Sequence, residues 1–527
     1  MKPKKPISGL KLALKTSVVS GMTLLSRILG LVRDVVFARF FGAGLLMDAF
    51  LVAQRIPNML RRFFAEGAFS AGFVPVMARY REQHDHDEAR EYLDAMAGTF
   101  GVVLFVVTLV GVVAAPLLVF VVAPGFTSDG GDFDLAALML RFTFPYLFFI
   151  SLTAFAGGIL NTYGRFGVPA FTPVLLNVVL IAAAVWAAPL FEQPIMALAY
   201  AVFIAGAVQL LFQVPFLAKI HALPRPKWRP QHEGVRRAFK LMLPAIFGSS
   251  VAQINVLLSG IIASLLPVGS ISYLYYSDRL MEFPLGLFGI ALATVTLPYL
   301  SRLWANGNRS EFAQTLEWSM RIAILIAVPA AVGLILLAAP LVTTLFHGGE
   351  FDQRSVDMTV LALRAYAFGL VGFSFVKVLA PAFFAREDTR TPVRAGIIAL
   401  CINLVLGASS AWYLSTRGIA GPHMGLAGAT SVAAVLNAAL LYRGLRTAGV
   451  IHHGPGWGIL LLRVLLANAA MIAVLLALHR SASWWAAAQL PDRVGWLAVS
   501  VGAGAGIYFV SLLVLGLRPA QFRVRHD

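Results

Sequence analysis

Residues 100–122 read FGVVLFVVTLVGVVAAPLLVFVV, 23 consecutive positions without a charged side chain. Crossing about 30 Å of hydrocarbon as a helix takes roughly 20 residues, so this run predicts a transmembrane helix. Residues 169–188 and 322–345 are uncharged runs of the same kind. The chain as a whole is 59% hydrophobic and 13% charged over 527 positions, more apolar surface than a soluble fold of that size buries. The solvent is therefore a bilayer.

Reading apolar runs between Gly, Pro and charged punctuation predicts about fourteen spans, near 16–42, 48–78, 96–122, 136–161, 169–189, 196–217, 240–265, 271–299, 315–338, 358–383, 394–414, 424–444, 457–479 and 494–515. The fold class expected is an all-α polytopic membrane protein. The net charge of +17 belongs largely to the segments between spans, so it reads as topogenic charge beside anionic lipid and not as a nucleic-acid surface. Even-numbered spans are followed by basic loops, among them Arg79, Arg81 and Arg90, then Lys219 to Arg237, then Arg386, Arg390 and Arg394. With a cytoplasmic, retained N-terminus, both termini are expected inside.

Five residues recur 223 positions later: Pro75 and Pro298, Arg79 and Arg302, Gly125 and Gly348, Arg141 and Arg364, Pro169 and Pro392. Ala-Ala-Pro-Leu also starts at Ala114 and again at Ala338. The pattern predicts two homologous six-helix halves, and because six is even the halves are parallel repeats around a central cavity. The expected organisation is an N-terminal lobe over 1–218, a basic Pro-containing linker over 219–239, a C-terminal lobe over 240–448 and two appended C-terminal helices within 449–527.

Charges inside the spans are the functional signal. Arg27 lies about eleven residues into the first span, on the order of 16 Å deep. A central arginine costs about 2.5–3.5 kcal/mol even on the lower scales, so it belongs in a polar cavity. Arg33, Asp34 and Arg39 follow, Asp48 opens the second span, and Arg61 and Arg62 lie near its middle. On an unbroken helix Arg27 and Asp34 share a face and Arg33 points about 120° away. Glu66 is a local partner for Arg62, whereas Arg61 has none nearby and reads as a cavity residue. Arg39 reads as a snorkelling residue near the span end. In the second half the stretch from Tyr275 to Pro284 holds Asp278, Arg279 and Glu282. Two readings stay open for Arg279, a local salt bridge or a cation facing the cavity, and two for Lys377, cavity or snorkelling. Clustered guanidinium groups suit a diphosphate, because their planar donors pair bidentately with phosphate oxygens.

With these residues in view, the chain resembles the MurJ (MviN) family of lipid II flippases, of the multidrug/oligosaccharidyl-lipid/polysaccharide exporter superfamily. The resemblance runs nearly end to end and is most specific at Ser26 to Asp34, Arg55 to Ser70 and Tyr276 to Pro284. It implies two lobes and alternating access that carries undecaprenyl-diphosphate-linked disaccharide-pentapeptide from the cytoplasmic to the periplasmic leaflet of the bacterial inner membrane. It also implies that Arg27, Arg33, Arg61 and Arg279 bind the substrate. Asp34, Asp48, Asp278, Glu282, Glu66 and Lys377 are the supporting residues expected around them. The appended helices are implied to form a groove for the prenyl tail. Some relatives hold sodium on aspartates of the seventh and eleventh spans; Gln253, Asn255 and Asn403 stand in those spans here, which puts sodium coupling in doubt.

No Gly-x-x-x-x-Gly-Lys-Ser/Thr loop, ligand-spaced histidine set or paired nucleophile and base occurs, so the expectation is a transporter without a cofactor. Sodium, a proton gradient or the membrane potential remain open as driving forces. Expected partners are lipid II, membrane lipids and cell-wall synthesis proteins. The competing expectations are an exporter of drugs or of another lipid-linked saccharide, which predicts cavity acids for cationic cargo, and a non-transporting scaffold, which predicts dispensable arginines.

Overall fold

The structure is a computed structural model that describes residues 9–62, 68–83, 85–128, 132–451 and 456–517. Hydrocarbon offers backbone groups no hydrogen bonds, so each segment satisfies its own N–H and C=O groups as helix. Among the described residues the one β-type pairing is an isolated bridge between Gly348 and Phe351.

Packing divides the chain into two compact units, Met1–Val268 and Gly269–Asp527. The first contains α1 (Gly9–Phe41), α2 (Leu45–Arg61), α3 (Ala68–Gln83), α4 (His86–Val113), α5 (Ala115–Val122), α6 (Phe133–Thr143), α7 (Tyr146–Thr162), α8 (Gly167–Ala182), α9 (Met196–Lys219) and α10 (Glu233–Ser264). The second contains α11 (Ser270–Ala305), α12 (Arg309–Leu336), α13 (Ala338–Leu345), α14 (Gln353–Ala367), α15 (Leu370–Phe384), α16 (Arg390–Thr416), α17 (His423–Thr447), α18 (Trp457–Ala477), α19 (Ala482–Ala487) and α20 (Leu490–Val514).

Among the described residues nine helices are long and apolar enough to cross a membrane, or ten if α14 and α15, bent by 43° at their junction, form one span. The remaining predicted spans fall on α1, on α2 with α3, on α10 and on α11. Three of these carry the ionisable residues singled out above, which lower their mean hydropathy, and the apolar part of α10 is the shorter Gln253–Ser264.

The 223-residue offset recurs in the backbone. The break between α4 and α5 at Ala114 has its counterpart between α12 and α13 at Leu337, and Ala114 N–H donates to the Val110 carbonyl as Leu337 N–H donates to that of Gly333, each at 2.8 Å. Both α7 and α15 are followed, two or three residues past their ends, by a residue at positive φ, Gly164 at 75° and Glu387 at 61°. In each, the following N–H turns back to a carbonyl five residues earlier, Arg165 to Leu160 and Asp388 to Phe383.

The basic segment between α9 and α10 is bound to the first unit, which extends through α10. Arg225 N–H donates to Asp94 Oδ1 at 2.7 Å, Lys227 N–H to the Asp94 carbonyl at 2.9 Å, and Lys227 Nζ sits 3.0 Å from Asp94 Oδ2. A Cβ on Gly98 would lie 2.2 Å from the Lys227 carbonyl oxygen, so only glycine admits this approach. The part from Glu233 onward is already helix α10. His232 caps it by accepting from Gly234 N–H at 3.2 Å, and burial holds its imidazole below the usual histidine range.

The two units are held by different cores. In the first, Phe69, Phe73, Phe100 and Phe155 cluster with ring centroids 4.8–5.8 Å apart. In the second, Phe312, Leu316, Met320, Leu379, Phe383 and Leu441 form a more aliphatic centre. The appended α18 and α20 dock on α12 through Val464, Met471, Leu475 and Leu512, and buried Tyr508 donates from its hydroxyl to the Leu325 carbonyl at 2.8 Å. Large side chains left uncovered, such as Val113, Trp186 and Val514, form the apolar surface a bilayer covers.

Candidate functional site on the charged helices

In the first unit, α1 presents its arginines in two different states. Arg27 is exposed, and among the described residues it has no hydrogen-bond or ion-pair partner. Arg33 is 7% exposed and Asp34 1%. Arg33 Nε and Nη2 both donate to Asp34 Oδ1, at 3.0 and 2.7 Å, and Nη1 donates to Asn177 Oδ1 on α8 at 3.2 Å. The Asn177 amide in turn donates to the Ser26 carbonyl at 3.0 Å. Thus Asp34 pairs with its neighbour Arg33, not with Arg27 two turns away on the same face. The long arginine side chain spans the angle that separates adjacent positions, and α8 packs close enough to supply a further acceptor.

Asn177 was not among the expected site residues. A lone amide in the middle of the uncharged run 169–188 was the available signal, since a buried amide requires polar partners.

Helix α2 carries Asp48 buried in its first turn, where a carboxylate faces the positive end of the helix dipole. Arg55 and Arg62 are seven positions apart and point to α10. The Arg55 guanidinium occupies the space beside Gly260, where a Cβ would lie 1.6 Å from Nη1. Arg62 is exposed, and its Nη1 donates to Gln253 Oε1 at 3.5 Å. Arg61 is half-buried in the last turn of α2. Glu66, expected to neutralise Arg62, lies outside the described residues. Sequence reasoning missed Arg55 and its partner Gly260; the basic side chain was visible, but the glycine across from it was not. Arg39 is half-buried near the end of α1.

In the second unit, α11 divides its motif by face. Tyr276 is buried against Phe346 and Phe351, with centroids 5.0 and 5.4 Å away, and Ser277 Oγ lies 2.9 Å from the Thr359 carbonyl. Asp278 and Arg279 are half-buried. Arg279 Nη1 stands 3.4 Å from Glu282 Oε2, with side chains 35% and 50% exposed, and its guanidinium lies 5.7 Å from the Tyr275 ring centroid. The local pair with Glu282 is therefore present but long and solvated. Lys377 is half-buried on α15 and borders a small pocket with Pro284 and Ser374.

The side chains at the positions weighed for sodium are engaged with protein. Gln253 accepts from Arg62, and buried Asn403 accepts from Thr430 Oγ1 at 3.2 Å. Among the described residues no group of three or more His, Cys, Asp or Glu could hold a metal ion. A separate apolar groove of about 440 Å³ lies where α12, α15, α17 and α18 meet, bordered by Phe375, Tyr442, Trp457 and Leu461.

Residues 37–494 match the family model described as "Lipid II flippase MurJ". A Vibrio cholerae serotype O1 protein, "Probable lipid II flippase MurJ", is 46% identical over 508 residues, covering 95% of each chain. A solved structure titled "Lipid II flippase MurJ, inward closed conformation" aligns with a TM-score of 0.76 at 26% identity, over 94% of this chain and 98% of the other. An inward-facing multidrug resistance MATE family transporter of the MOP superfamily shares the fold, with a TM-score of 0.66 at 16% identity over 82% of this chain and 98% of the other.

Proposed function

The chain belongs to the lipid II flippase MurJ family, and from that premise we propose that it carries lipid II from the cytoplasmic to the periplasmic leaflet by alternating access, holding the diphosphate and its sugar-peptide head on arginines of α1, α2 and α11. It is a multi-pass membrane protein of the inner membrane and a transporter, not an enzyme. The basic loops after even-numbered spans support an N-terminus that faces the cytoplasm.

The observation that carries the reading is the state of Arg27. A guanidinium near the middle of a span, with no carboxylate partner among the described residues, is costly in lipid, and a transient anionic ligand offsets that cost when it arrives. Arg61 on α2 and Arg279 on α11 supply further positive charge. Arg33, tied to Asp34 and Asn177, shapes the site more than it offers a free charge in this state. Asp48, Asp278, Glu282, Glu66 and Lys377 set the local charge balance. The groove bordered by Trp457 and Leu461 suits the prenyl tail, because it is apolar and lies beside an appended helix. With excess positive charge on these helices, the membrane potential is the driving force we favour, and no cofactor enters the cycle.

The test is replacement of Arg27 by Ala in a strain depleted of its own flippase. Lipid II should fail to reach the outer leaflet while the protein still accumulates in the membrane. Normal outer-leaflet lipid II in a folded Arg27→Ala variant would overturn this reading. Replacement of Arg27 by Lys, which keeps the charge but loses the planar fork, should recover part of the transport.

A further inference from the structure

At one corner of the first unit, where α3, α7 and α9 end and α4 begins, lies a cavity of about 240 Å³ bordered by Arg81, Arg90, Tyr163, His221, Asp85 and Asp94. Four of these side chains define its charge. Arg81 is fixed, since its guanidinium lies 4.2 Å from the Tyr163 ring centroid and donates to the Thr162 carbonyl. Asp94 is neutralised by Lys227 and accepts from the Arg225 N–H. Asp85, just ahead of α4, is exposed and caps nothing with its side chain. Arg90 is half-buried, and among the described residues it has no hydrogen-bond or ion-pair partner. Two guanidinium charges against one free carboxylate leave the corner with one positive charge.

The edge at His221 is also built with some strain. It has φ 55°, one of the two non-glycine residues at positive φ among the described residues. It stands just past the end of α9, with Ala222 N–H turned back to the Leu217 carbonyl at 3.1 Å, a position that glycine ordinarily fills. Residues kept in such conformations cluster at functional sites.

The corresponding corner of the second unit is occupied by an aromatic side chain. At the 223-residue offset Arg81 becomes Trp304 and Tyr163 becomes Arg386, and Arg386 lies over Trp304 at 5.1 Å. The cation–π pair is kept with its members exchanged. Arg309 lies over the same indole at 3.0 Å. The counterpart of Asp94 is Glu317, which accepts from Arg321 and from Trp457 Nε1. An indole with two guanidinium groups over it thus stands at the position where the first unit has one ring, one engaged arginine, one arginine to spare and open room.

We infer that this corner binds a phosphodiester monoanion, with Arg90 as the principal contact and Arg81 as the second. A guanidinium pairs bidentately with phosphate oxygens, and a single negative charge matches the single positive charge left over. The free carboxylate of Asp85 disfavours a dianionic phosphomonoester. The phosphodiester comes either from the headgroup of an anionic phospholipid or from a soluble glycerophosphodiester.

The experiment uses the full chain in phosphatidylcholine nanodiscs. Retained phosphatidylglycerol is measured by native mass spectrometry, and protection by soluble glycerophosphoglycerol by thermal melting. The native chain should bind phosphatidylglycerol, and Arg90→Gln should weaken binding about tenfold without lowering the melting temperature of the free protein. Arg81→Trp, which gives the first corner the residue of the second, should weaken it similarly. Protection by glycerophosphoglycerol as well identifies a soluble ligand, and its failure beside phosphatidylglycerol binding identifies a lipid one. Should Arg90→Gln fail to fold, Arg90→Lys should bind more weakly than the native chain. Binding of neither probe, or equal binding by the native chain and the folded variants, overturns the proposal.

Discussion

Arg33 on α1 and Arg279 on α11 each have a carboxylate within reach on their own helix, yet the two pairs behave differently. The Arg33–Asp34 pair is withdrawn from solvent, with side chains 8% and 1% exposed, and is closed by an amide from α8. The Arg279–Glu282 pair is 3.4 Å long and 35% and 50% exposed. A buried pair cannot release one member cheaply, because the other is left as an uncompensated charge. A solvated pair exchanges partners at little cost. Similar residue types on two helices therefore differ in what they can do: Arg33 holds α1 to α8, whereas the Arg279–Glu282 pair can exchange partners.

The most severe way to break this contrast is Asp34→Ala. With Asp34 gone, Arg33 loses its carboxylate in a nearly closed site, and the expected loss is about 3–5 kcal/mol of stability. Thermal melting of the purified variant, or its level in the membrane, reads this directly. A variant as stable as the native chain would mean that water reaches Arg33 and that the two pairs do not differ in kind.

Asn177→Leu probes the same site from α8. The substitution removes the acceptor for Arg33 Nη1 and the donor to the Ser26 carbonyl, for an expected loss of about 1–3 kcal/mol. Asp34→Ala and Asn177→Leu should not add, since both act through Arg33. A double-mutant cycle in the same melting assay checks the coupling.

Gly260→Ala asks whether Arg55 belongs with the fixed or the available arginines. The new Cβ would lie 1.6 Å from Arg55 Nη1, but that atom is the tip of a flexible side chain, so the chain moves instead of the helix. The expected stability change is about 0.5–1.5 kcal/mol, the cost of an unfavourable rotamer. Labelling of Arg55 by phenylglyoxal, followed by mass spectrometry, should rise severalfold; unchanged labelling would show that Gly260 does not seat this side chain.

These contrasts mark how far the residues alone can be read. That the chain is built of membrane-spanning helices was legible from runs such as 100–122, though not the break at Ala114 inside that run, and the repeat was legible from the 223-residue offset, because apolar length and repeat period are written along the chain. Arg27 was legible as a candidate because a charge inside an apolar run needs no partner to be noticed. The partners were not legible. Helical geometry separates Arg33 from Asp34 by about 100°, and their pairing depends on side-chain length and on Asn177, 144 positions away. The contacts of the linker were not legible for the same reason: Asp94 and Gly98 on α4 bind it, and neither stands out in a span. What a span contains is local, but what it touches is not.

The smallest expected effect is the one most directly tied to transport. Glu282→Gln removes the charge facing Arg279 while keeping the side chain's size and its hydrogen-bonding capacity. An exposed ion pair is worth about 0–1 kcal/mol, so melting should change by no more than that. The same ceiling limits the functional gain. If Glu282 competes with the lipid diphosphate for Arg279, its neutralisation tightens head-group binding by at most about fivefold, the factor that about 1 kcal/mol represents. Binding of lipid II to the purified variant should therefore strengthen modestly, and the gain should shrink at high salt, where the native pair is already screened. Arg279→Ala should abolish the gain in the Glu282→Gln background. Weaker binding in Glu282→Gln would instead make Glu282 an orienting partner of Arg279, and α11 would then resemble α1 more than its exposure suggests.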